Sequence, residues 1–112
     1  MFRSAGIGKR HTIKPIDWHL EPRSWAEATD AYLEGATALF VAATNRVLAA
    51  AGMSAQDVDT VVTISSTGIA TPSLEARVAA EIGFRADVQR VPVFGLGCAG
   101  GVTGIAIASR FA

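Results

Sequence analysis

Two β-branched runs constrain this chain most: DTVVTIS at 59–65 and VQRVPVF at 88–94, each the length of one buried strand. Between them Leu74, Val78 and Ile82 recur at the spacing of one helix face, and Gly83 supplies a stop. Upstream, Ser24 with Glu27 three residues on forms a capping box, and alanine, leucine and valine continue to Ala51 before Gly52. After Phe94 a glycine turn leads into a further apolar helix that starts near Cys98. The order is helix, strand, helix, strand, helix. Such alternation predicts an α/β fold with largely parallel pairing and helices on both faces of the sheet.

In the helix over 24–51, Tyr32, Leu39, Val47 and Leu48 are expected among the apolar positions, with Asn45 and Arg46 facing water. SAQD at 54–57 predicts one short helical turn, and SSTGIATPS at 65–73 a loop. Thr71 and Pro72 are expected to be the cap and first residue of the helix that follows. Residues 1–22, with Pro15 and Pro22, read as a loop that could hold a short strand. Only two or three strands are available, and no stop signal precedes Ala112. A piece of a larger domain is expected, with uncovered sheet edges and apolar faces if it were isolated.

Composition removes several function classes. Ten basic and ten acidic side chains cancel, with no lysine or arginine run, which argues against a nucleic-acid or membrane-surface partner. Residues 91–109 carry no charge, but Pro92 and five glycines interrupt them. A buried strand followed by a buried helix is expected there, not an integral membrane span. The N-terminus lacks the apolar core of a signal peptide. One cysteine makes neither an internal disulfide nor a cysteine-rich metal site, and His11 and His19 lie far from it in sequence. No metal is expected, and a reducing, cytoplasmic compartment is.

That cysteine sits in FGLGCAGGVTG, residues 94–104, among five glycines. Strand, tight glycine turn, cysteine, helix is the layout of a nucleophile elbow. Gly95 and Gly97 permit dihedrals that other residues resist. Free N–H groups at a helix start favour the thiolate, the nucleophilic form, and can hold an oxyanion. The small residues Ala99, Gly100, Gly101 and Gly104 let the following helix approach other backbone closely. Two further readings stay open at this level. Cys98 could be a small buried core residue. Gly95, Gly97 and Gly100 also match G-x-G-x-x-G after a strand, but the acidic residue about twenty positions on would fall beyond Ala112.

The stretch RVPVFGLGCAGGVTGIAIASR resembles the cysteine segment of type III polyketide synthases, the chalcone-synthase-like enzymes, and looks closest to bacterial makers of alkylpyrones or alkylresorcinols. The upstream stretch from VDTVVTISSTGIATPSLEARVAAEIGF onward is similar without a gap, and AGIGKRH resembles a short basic motif near the family's N-terminal region. The resemblance implies part of a thiolase-like fold, with its αβαβα layers, cut at both ends. It implies an acyltransferase in which Cys98 takes an acyl starter from CoA. Malonyl-CoA would then lose carbon dioxide and condense with the thioester, without a resident cofactor. It also implies that Ser66 and Thr67 line the starter pocket. Thr71 would reach the neighbouring subunit's cavity in a homodimer.

By the same resemblance, Arg3, Lys9 and Arg10 lie in the region that binds the CoA phosphates, though the matching positions are partly missing. Local readings compete: Thr71 as a cap, Ser66 and Thr67 as ordinary loop groups, the basic residues as solvated surface. The family's activating histidine and asparagine lie downstream of the cysteine. His11 and His19 precede it and are expected at the surface, so these 112 residues alone are expected not to catalyse condensation. Two rival readings remain: a ketoacyl synthase III-like condensing enzyme and a non-catalytic α/β segment. The former should carry an alanine-rich approach to its cysteine and a basic docking patch for acyl carrier protein.

Overall fold

The computed structural model describes residues 4–112. Helix α1 is short, Ile16–Leu20, and α2 is long, Trp25–Ala51. Strand β1 follows at Thr60–Ser65, then α3 at Leu74–Ile82, β2 at Gln89–Phe94 and α4 at Gly100–Ala108. The expected alternation is present, and β1 and β2 pair in parallel, from Thr60 opposite Gln89 to Ser65 opposite Phe94.

Local chemistry explains the boundaries. The Ser24 side chain accepts the Glu27 N–H, and Glu27 reaches back to the Ser24 N–H at 2.9 Å. Gly52 closes α2 in the left-handed conformation (φ 66°), and Gly83 closes α3 in the same way (φ 87°). A second capping box, Ser54 with Asp57, starts a 3-10 turn over Ala55–Asp57. Arg85 then ties this turn to the strands, donating to the Gln56 carbonyl, to Asp59 at 2.9 Å and to Asp87 at 3.0 Å.

Alternation along β1 distributes the helices. Thr63 points to α3, where it meets Glu75, and Ser65 points the same way, to Tyr32 of α2. Ile64 points oppositely, into α4 beside Gly100 and Gly104. Helices therefore cover both faces, α2 and α3 on one and α4 on the other. The apolar core is small: Ala31, Ala70, Val78 and Val88 are buried. Large apolar side chains stay open on α4, where Val102 is 76% and Ile105 74% exposed.

Four expectations need correction. Residues 16–20 form a helix, not a loop or strand. Pro15 fixes its own φ, its carbonyl accepts the Trp18 N–H, and Asp17 favours the first turn. The cap of α3 is Ser73, not Thr71, and Pro72 lies outside the helix after a cis peptide bond. Leu39 and Val47 are largely exposed, because α3, the loop after β1 and the segment around Ile13 and Lys14 leave them uncovered, whereas Tyr32 and Leu48 are half-buried. Gly100 and Gly104 press on the Ile64 side chain and not on backbone, and nothing lies within 4 Å of a β-carbon placed on Gly101. Asn45 and Arg46 face solvent as expected. No helix among the described residues is long and apolar enough to cross a membrane.

Candidate active site

The parallel register brings two loops to one edge. Since Ser65 pairs with Phe94, the loop over 66–73 and the glycine turn leave the sheet side by side at its C-terminal end. Ligands of open parallel sheets bind at that end. The Gly95 N–H donates to the Ser65 carbonyl at 3.1 Å, extending the pairing one step past β2.

The turn then folds sharply. Gly95 (φ 78°) and Gly97 (φ 54°) are both left-handed, with Leu96 helical between them. Cys98 lies in a 3-10 turn, Gly97–Ala99, two residues before α4 begins. Its thiol is free and exposed, so within the described residues it is not a packed core group. The Gly97 N–H donates to the Ser66 hydroxyl at 2.9 Å. Such a bond contributes about 0.5–1.5 kcal/mol net, the lower end at an exposed site. The loop after β1 thereby holds the turn that presents the sulfur.

The other expected residues separate into two places. Ser66 and Thr67 line a cavity of about 380 Å³ with Tyr32, Phe40, Ile64 and Leu74. Thr67 also borders a second cavity of about 400 Å³, which His11, His19 and Ile13 enclose from the N-terminal side. Thr71 lines neither; it is exposed at the far end of the loop, where its carbonyl accepts from Arg77 at 3.0 Å. Lys9 and Arg10 are exposed and border a small recess with Ile7 and Gly8, and Arg3 lies outside the described residues. His11 and His19 are exposed as expected, with His19 edge-on to Trp18.

Two contributors escaped the sequence reading. Tyr32, counted only as apolar, shares a 2.7 Å hydrogen bond with the Ser65 hydroxyl, which donates in turn to the Gly68 carbonyl. Its ring lies against Gly68 so closely that a β-carbon there would come within 2.5 Å. Glu75 is the other: a fully buried carboxyl bonded to Thr63 and Ser73. Its signal was its place three residues before Val78, on the flank of the apolar stripe.

The family model for FAE1/Type III polyketide synthase-like proteins matches residues 1–112. Over 102 residues the chain is 47% identical to the 1,3,6,8-tetrahydroxynaphthalene synthase of Streptomyces peucetius subsp. caesius, covering 91% of this chain and 27% of the relative. The crystal structure of 1,3,6,8-tetrahydroxynaphthalene synthase from Streptomyces coelicolor A3(2), a bacterial type III polyketide synthase, superimposes with a TM-score of 0.91. It is 32% identical and covers 98% of this chain and 32% of that one. The structure of CsyB complexed with CoA-SH matches with a TM-score of 0.78 at 25% identity, over 84% of this chain and 25% of that one.

The chain belongs to the FAE1/type III polyketide synthase-like family. Its fold is the N-terminal part of the thiolase-like fold of these enzymes. It spans roughly a quarter to a third of the relatives' length, from 27% to 32%.

Proposed function

We propose that these residues form the N-terminal part of a type III polyketide synthase in which Cys98 is the acyl-carrying nucleophile. The observation that carries this reading is the exposed thiol at the end of a two-glycine elbow, held from the neighbouring loop by Ser66. The thiolate attacks the carbonyl of an acyl-CoA, the C–S bond to CoA breaks, and free CoA leaves with the acyl group on Cys98. Malonyl-CoA then loses carbon dioxide. The resulting carbanion attacks the thioester carbonyl, which frees Cys98 and leaves the chain two carbons longer on CoA. Repetition and ring closure give a pyrone, resorcinol or chalcone-like polyketide. The family's histidine and asparagine would be supplied outside residues 1–112.

Ser66 and Thr67 line the starter cavity in this reading, and its mixed apolar and hydroxyl walls suit an acyl thioester. Thr71 faces outward from the loop, as a residue reaching into a second subunit of a homodimer must. A working thiol needs reducing surroundings, which fits a cytoplasmic enzyme.

Incubation of the full-length protein with an acyl-CoA should add one acyl mass to the peptide that carries Cys98. Cys98→Ala should abolish both the adduct and polyketide release, at least about a hundredfold. An adduct on another residue, or none on the wild type, sinks this assignment.

A further inference from the structure

Glu75, the second residue of α3, is 0% exposed, the only buried charged residue among those described. Its Oε2 accepts the Thr63 hydroxyl at 2.8 Å and its Oε1 accepts the Ser73 hydroxyl. Thr63 stands in β1, three residues before Ser66, and Ser73 stands two residues after Thr71. The carboxyl thus closes the base of the loop over 66–72 from both ends. Ser73 occupies the cap of α3 yet makes no capping bond to the backbone, its hydroxyl going to Glu75 instead. Stability alone does not call for this arrangement. Burying a carboxyl carries a desolvation penalty, and an apolar side chain beside Val78 would avoid it. The groups so fixed are those that line the cavity and hold the elbow: Ser66 on the Gly97 N–H and Thr67 on the cavity wall.

We infer that Glu75 is a positioning residue for starter selection. By stapling Thr63 to Ser73 it sets the shape of the loop over 66–72, and so which acyl chains fit above Cys98, without touching them. This rests on the acyl-transfer reading above.

The test uses the full-length protein, with acetyl-CoA and lauroyl-CoA as probes and transfer to Cys98 followed by intact mass. Glu75→Gln keeps the shape of the side chain and removes its charge. The expected result is a change of about three- to tenfold in the ratio of kcat/KM between the two starters. Iodoacetamide should still alkylate Cys98 at the wild-type rate. Thr63→Val and Ser73→Ala each remove one donor and should move the ratio in the same direction by less. They also carry the test if Glu75→Gln does not fold. An unchanged ratio in all variants, with only a lower Tm, would make Glu75 a structural residue and overturn the inference while leaving Cys98 loading intact. No loading of wild-type Cys98 by either probe would overturn both readings together.

Discussion

Gly95 and Gly97 precede Cys98, and Gly100 and Gly104 follow it, yet a β-carbon would meet different things at the two pairs. At Gly95 and Gly97 it would find nothing within 4 Å, but the backbone there is left-handed, at φ 78° and 54°. At Gly100 and Gly104 the backbone is ordinary helix, but the β-carbon would come within 2.5 Å and 2.7 Å of Ile64. The first pair is required by dihedral angle and the second by space. Backbone torsion aims the thiol, and close packing seats the helix behind it. One glycine-rich motif therefore joins two independent requirements.

The larger effect should come from the seat. Gly104→Val drives two methyl groups into Ile64 and should cost about 1–3 kcal/mol in thermal or urea unfolding. The diagnostic is a double-mutant cycle: Ile64→Ala should restore part of the loss in Gly104→Ala and none of the loss in Gly97→Ala. Equal rescue at both positions would erase the distinction. Next comes the elbow. Gly97→Ala forces an L residue into the left-handed region, at roughly 1–2 kcal/mol. It should slow iodoacetamide alkylation of Cys98 more than Gly104→Ala does at matched stability. The smallest effect lies far from the thiol, in the two capping boxes. The Ser24 N–H and hydroxyl hold the Glu27 carboxyl below its ordinary value near 4.5, and Ser54 holds Asp57 below 3.8 in the same way. Both depressed carboxyls stabilise the fold above those values, and the contribution fades as pH falls through the lower folded-state values. A shallow fall in Tm below about pH 4 is expected, made shallower by Glu27→Gln with Asp57→Asn but not abolished, since Lys14 lowers Glu34 and Arg85 lowers Asp87 in the same sense, while the ranking of the glycine variants stays unchanged.

Much of this architecture was legible because short-range rules fix it. The capping box at Ser24 and the left-handed stops at Gly52 and Gly83 depend on residues within a turn of each other. The β-branched content of both strands is equally local. The elbow was legible for the same reason. What stayed hidden depends on partners distant in sequence. The Ser66 hydroxyl finds Gly97 across 31 residues, and Tyr32 finds Ser65 across 33. Thr71 looked like a cap because threonine before proline is a good helix start. Ser73 was equally able to cap, and Arg77, which holds the Thr71 and Pro72 carbonyls, shows where the helix truly begins. Leu39 and Val47 looked like core because apolar residues on a helix usually are, but periodicity does not say which neighbours are present to cover them.

The bond from the Gly97 N–H to Ser66 also carries information about time. It cannot form until β1, the crossover through α3 and β2 have all taken their places, since its partners emerge from synthesis 31 residues apart. Slow solvent exchange of that single amide would therefore mark the moment at which the turn carrying Cys98 is held in shape by the neighbouring loop.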